Sequence, residues 1–85
     1  MKIRSIHTFA VSFIYKDKEY PIIIEMENDY VDGYNEVYFK IENAEKNSDN
    51  ENDKVLSFIE EHEQKIIDML VEDFELKEIN AKELT

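Results

Sequence analysis

The feature that most constrains this chain is a change of hydrophobic period partway along it. From Ile3 to Tyr15 the large apolar residues Phe9, Val11, Phe13 and Tyr15 occupy odd positions. From Tyr20 the even positions Tyr20, Ile22, Ile24 and Met26 take over, and Val37, Phe39 and Ile41 form a third alternating set. Alternation with a period of two marks strands that bury one face. From Val55 the spacing becomes three and four, and Val55, Phe58, Ile59, His62, Ile66, Met69 and Leu70 fall on one stripe of a helix. An apolar sheet face and an apolar helix stripe bury each other most simply. The expected fold is α+β, a three-stranded antiparallel β-meander packed on one face by a C-terminal amphipathic α-helix (β-β-β-α).

Eighty-five residues make a single small acidic domain, 1–85. The expected strands are about 3–15, 20–31 and 34–42, followed by an acidic loop at 43–53 and a helix over about 54–72. The tail 73–85 fits continued helix, a short strand at 74–79 or no regular structure. Asp73 falls in the middle of the apolar stripe, so the helix should end near it.

Two turns propose a register. Asp32-Gly33 is a preferred type I′ pair and Gly33 is the only glycine. A two-residue loop there sets Met26 opposite Phe39 and Ile24 opposite Ile41. A four-residue loop, Lys16-Asp17-Lys18-Glu19, sets Phe13 opposite Ile22 and Val11 opposite Ile24. Both put apolar residues on one face, which a slip of one residue would reverse. Pro21 lacks an N–H and should direct its backbone toward strand 3 where that strand ends. The outer sheet face should show Ile6, Ile14, Ile23 and Tyr38, and strands 1 and 3 should be the sheet edges.

Charge is unevenly placed. Residues 1–41 hold five Lys/Arg and seven Asp/Glu, residues 42–85 five Lys and fourteen Asp/Glu, so −9 of the net −11 lies in the second half. Direct nucleic-acid binding is disfavoured, since it needs cations to displace counterions from phosphate. Basic partners are favoured instead. With no cysteine there is neither a disulfide nor a thiolate site, and no stretch approaches the roughly 18 apolar residues of a membrane span. The apolar-looking run from Ile6 alternates in polarity and reads as a strand, not a secretory signal. The expectation is a cytoplasmic protein without membrane contact.

Residues 49–60, DNENDKVLSFIE, pose the main chemical question. Asp49, Glu51, Asp53, Ser57 and Glu60 match five ligand positions of an EF-hand loop. Lys54 stands where that loop needs glycine, and no entering helix precedes it. The same residues make an acidic helix start, capped by Asn52 or Asp53, and that reading is preferred. His62, on the apolar stripe, reads as a core residue with one satisfied nitrogen, and His7 ends strand 1. No serine has a base in a recognisable frame, and one glycine makes no phosphate-cradling loop. The expectation is a non-enzymatic protein with no cofactor and no metal.

What remains is the acidic face: Glu60, Glu61, Asp68, Glu72 and Glu75, continuous with Asp49, Glu51 and Asp53. Residues four apart on a helix rise ~6 Å, and duplex phosphates repeat at ~3.4 Å per strand, so a helix can imitate a phosphate row. In size, charge and lack of catalytic motifs the chain resembles the small acidic proteins of phages and mobile elements that block nucleic-acid-binding enzymes. That resemblance implies an inhibitor or DNA mimic of anti-defence type, which occupies the basic groove of a nucleic-acid-binding protein. The alternative is a structural or regulatory interaction module that dimerises or binds a partner through a sheet edge, its acids serving solubility.

Overall fold

The computed structural model describes residues 4–29 and 34–85, and the alternating segments are its long strands: β1 (Arg4–Tyr15), β2 (Lys18–Asp29) and β3 (Tyr34–Ile41). β2 pairs antiparallel with both neighbours. The expected parity holds. Phe9, Val11, Phe13, Tyr20, Ile22, Ile24, Met26 and Ile41 share one buried cluster. On the other face Ile6 and Tyr38 are exposed, and Ile14 and Ile23 are half-buried.

Both ladders are displaced by two residues from the expected register. Phe13 lies opposite Tyr20 and Val11 opposite Ile22. Met26 lies opposite Val37, Ile24 opposite Phe39 and Ile22 opposite Ile41. A two-residue shift leaves every side chain on its face, so hydrophobic burial alone does not distinguish the two registers. Turn geometry does. Tyr15 and Lys18 close the first hairpin around Lys16-Asp17, whose φ values of 51° and 63° are both positive. Two successive positive φ values are the type I′ requirement, and that turn's twist matches the twist of the strands. Left-handed backbone costs a non-glycine residue about 1–2 kcal/mol, which the paired strands offset, so the four-residue loop does not form. In the second hairpin Asp29 pairs with Tyr34. The Asp32-Gly33 turn expected there lies outside the described residues.

Pro21 sits as anticipated. Its carbonyl accepts a 2.8 Å hydrogen bond from the Glu42 N–H, just beyond the last β2–β3 pair, Ile22 with Ile41. The missing N–H therefore falls at the end of the ladder.

After a 3-10 turn at Ala44–Lys46 the chain forms two helices where one was expected, α1 (Asp49–Glu61) and α2 (Glu63–Glu72). The helix starts well before residue 54 because Ser48, not Asn52 or Asp53, is its cap. The Ser48 hydroxyl accepts the Glu51 N–H at 3.1 Å, and the Glu51 carboxylate accepts the Ser48 N–H at 3.4 Å. Asn52 instead donates its side-chain amide to the Ala44 carbonyl at 2.9 Å.

The break falls at His62, with φ −115° and ψ 22°. In an unbroken helix its backbone N–H would bond the Phe58 carbonyl. Here the imidazole Nδ1–H takes that carbonyl at 2.8 Å, and the backbone N–H turns to the Ile59 carbonyl at 3.1 Å. A side chain thus displaces one rung of the ladder. The His62 ring also lies 4.3 Å from the Phe58 ring, so its satisfied nitrogen and half-buried position agree with the core reading. Asp73 ends α2 in extended conformation, as expected.

The tail adds an element that the meander lacks. β4 (Glu78–Asn80) runs parallel to β1 beside Ser12–Ile14, so the sheet is four-stranded and mixed, in the order β3-β2-β1-β4. Strand 1 is therefore not an edge along its whole length: the Ser12 N–H donates to the Lys77 carbonyl at 2.8 Å. Ile79 is fully buried, and Ala81 and Leu84 continue the same cluster. Three residues are too few to show a period, which is why the tail stayed ambiguous. Among the described residues no helix is long and apolar enough to cross a membrane.

Replacing Ile79 with Ala should cost on the order of 2–5 kcal/mol, whereas Val71→Ala, at 55% exposure, should change stability by about 0.5 kcal/mol or less. Urea unfolding of both variants checks the contrast; equal effects would remove β4 from the core.

Candidate functional site

α1 and α2 carry eight acidic residues and two lysines. Their buried side is set by Val55, Ile59, Ile66 and Leu70, which turns most of the acids outward. Asp49, Asp53, Glu60 and Glu61 of α1, Asp68 and Glu72 of α2, and Glu75 beyond it are all exposed. At about 100° per residue, Asp49, Asp53 and Glu60 lie within about 40° of one another around α1. Asp68 accepts a hydrogen bond from the Gln64 side chain at 3.0 Å. Beyond α2, the Asp73 carboxylate accepts the Glu75 N–H at 3.0 Å and turns the chain. Lys65 reaches the Leu84 carbonyl at 3.3 Å, and Lys54 lines a hollow beside the β1–β2 turn.

Glu51 does not join that face. It is half-buried and turned toward the sheet, where the Tyr20 hydroxyl donates to its Oε2 at 2.6 Å and Lys18 forms an ion pair with the same oxygen. With the Ser48 cap, these contacts fasten the start of α1 to the first hairpin. The Lys18 hydrogen bond, then that from Tyr20, hold the Glu51 carboxyl below the usual carboxylate range. Burial first, then the bond to the Glu51 carboxylate, push the Tyr20 hydroxyl up to about 12. The serine-to-glutamate spacing of this capping box, S-D-N-E before an apolar run, is legible in the sequence. Its ties to Lys18 and Tyr20 span more than thirty positions (33 and 31) and carry no local signal.

The alternating acids Asp49, Glu51 and Asp53 lie within α1, where side chains two apart diverge by about 200°. Calcium-loop ligands must converge. Among the described residues no group of three or more His, Asp or Glu side chains is placed to hold a metal. His7 is exposed and stacks on Phe74 at 6.4 Å. Phe74 also stacks on Phe9 at 6.1 Å while remaining 65% exposed, a surface aromatic that the unassigned tail concealed.

The chain matches no family model, no curated protein and no solved structure.

The two shifted groups act at opposite ends of the pH scale. Tyr20 has a raised folded pKa, so its contribution is complete below pH ~10 and is lost as pH rises toward about 12. Tyr20→Phe should flatten that alkaline loss in thermal unfolding. Glu51 has a lowered folded pKa, so its contribution is complete above ~4.3 and is lost as pH falls through the lower folded value. Glu51→Gln should remove that acid-side loss. Ser48→Ala should cost about 1 kcal/mol at neutral pH, and a variant as stable as the parent would show the cap to be idle.

Proposed function

We propose that this protein is a non-enzymatic binding module whose exposed carboxylates engage a basic surface of another protein, the groove of a nucleic-acid-binding protein in particular. One observation carries the reading. Asp49, Asp53, Glu60, Glu61, Asp68 and Glu72 along successive helices, and Glu75 just beyond them, all stand in solvent, while Lys65 is drawn to the C-terminal segment and Lys54 lines a hollow beside the β1–β2 turn. Glu51 leaves this set, because its carboxylate is already committed to Lys18 and Tyr20. Carboxylates one helical turn apart recur every ~6 Å, a spacing that can meet a cationic groove evolved for phosphates at ~3.4 Å. An inhibitor or DNA mimic from a phage or mobile element would work in this way, competing with nucleic acid for its target in the cytoplasm.

Attraction through exposed charges is screened beyond ~8–10 Å at physiological ionic strength, so association should be fast and fall steeply with salt. The combined variant Glu61→Gln, Asp68→Asn, Glu72→Gln and Glu75→Gln should lose capture of the partner from host lysate at low salt, with its fold retained. Added nucleic acid should displace the parent protein. Undiminished binding by the variant, or simultaneous binding of nucleic acid and this protein, would defeat the proposal.

A second reading rests on the sheet. Among the described residues β3 pairs with β2 alone, and β4 covers β1 only at Ser12–Ile14, so backbone edges remain for a partner strand or a second copy. Light scattering separates the two: a dimer that persists in the combined acidic variant supports the edge, and a monomer supports the acidic face.

A further inference from the structure

The charge of this molecule has a local exception. Three neighbouring hollows share Tyr15, and four lysines from three separate parts of the chain border them. The largest, about 420 Å³, is lined by Tyr15, Lys16, Lys18, Tyr20 and Lys54 together with the start of α1. A second, about 260 Å³, adds Lys82 from a C-terminal 3-10 turn at Ala81–Glu83 and the Phe58 ring. A third, about 290 Å³, lies between Tyr15, Lys54 and Phe58 and is bordered by Asp53 and Glu61. The whole sequence has ten basic residues against twenty-one acidic ones, so four lysines around one tyrosine run against its average.

Their side chains differ in what they leave free. Lys18 is committed to Glu51 and to the Asn47 side chain at 3.1 Å, and its ammonium lies 5.2 Å from the Tyr20 ring centre. That pairing offsets the one carboxylate lining the largest hollow. Lys16 sits on the left-handed turn with its ammonium 5.5 Å from the Tyr15 ring centre. The aromatic face favours a cation there without consuming its hydrogen-bond donors. Lys54 of α1 lines the same hollow. Lys16 and Lys54 are therefore the donors left for an anion, and a lysine ammonium is a suitable point charge for phosphate. Tyr15 is half-buried against Phe58, with ring centres 5.2 Å apart and planes at 58°, and offers an apolar wall beside them. The principal hollow falls within the ~300–1,000 Å³ of small-molecule sites.

The geometry points to a binding site for a small phosphate monoester carrying a planar ring, the phosphate held by Lys16 and Lys54 and the ring laid against the apolar wall that Tyr15 and Phe58 form in the adjoining hollow. This site stands independently of the acidic-face reading. Asp53 and Glu61 oppose it by repelling the anion, which gives the two readings opposite responses to one substitution.

The test is an amide-shift titration of the isotope-labelled full chain with AMP, inorganic phosphate and adenosine in turn, at constant ionic strength. AMP should shift the amides of Lys16, Lys18, Asn50 and Lys54 saturably, phosphate should move the same amides with weaker affinity, and adenosine should bind weakest. Lys16→Gln with Lys54→Gln should weaken AMP binding by roughly tenfold or more, and the spectrum itself reports whether the variant is folded. Lys46→Gln, outside the hollow, should leave affinity unchanged. Asp53→Asn should tighten AMP binding, whereas it should weaken capture of a basic partner. Shifts that do not saturate, or that survive in the double lysine variant, mean an adventitious ion only and overturn the site. Adenosine binding as tightly as AMP would overturn it as well, because the anion would then contribute nothing.

Discussion

One apolar sheet face has to be covered, and the rest of the molecule is arranged around that requirement. Phe13, Ile22 and Ile24 supply it from β1 and β2, and Val55, Ile59, Ile66 and Leu70 cover it from the helices. Each fully buried side chain of this size contributes about 1.5–3 kcal/mol relative to exposure, far more than any surface ion pair here. Two short helices accomplish the covering with a break between them at His62. The C-terminal segment completes it, since Ile79 is as deeply buried as any helical residue. The β4 strand is thus part of the core and not an ornament on the sheet edge.

Orientation is a separate matter from burial, and Glu51 is where it is decided. Its backbone N–H and one oxygen close the capping box with Ser48, while its other oxygen receives Tyr20 and Lys18. Exposed ion pairs contribute little to stability, about 0–1 kcal/mol. The tie to the nearly buried Tyr20 fixes where α1 begins relative to the first hairpin. The same arrangement removes one carboxylate from the acidic surface and creates the lysine-lined hollow beside it. Structure and charge distribution share that residue.

The resulting surface is divided by sign. Carboxylates occupy the solvent side of both helices, and lysines gather around Tyr15 at the β1–β2 turn. The net charge alone describes neither region. Under the two proposals a basic protein partner and a small anion would be received at adjacent but distinct places, with Asp53 and Glu61 bordering both.

The sequence by itself determined the class of fold, the buried side of each of the three long strands, the helical stripe and its end at Asp73. These are local periodicities, in which each residue reports its own face. Tertiary structure alone decided the rest. The strand register shifted by two residues because parity is blind to an even displacement, and a type I′ turn without glycine at Lys16-Asp17 selected the pairing. The break at His62 arose because an imidazole competed for the Phe58 carbonyl. Of the expected acidic site, the outward position of Glu60, Glu61, Asp68 and Glu72 was legible from helical spacing, whereas Asp49 and Asp53 were expected in a loop and stand on the first turns of α1. The inward turn of Glu51 was not, because its partners lie more than thirty residues (31 and 33) away, on another element. The gathering of Lys16, Lys54 and Lys82 around one aromatic ring was equally hidden, since only the packed chain brings those positions together.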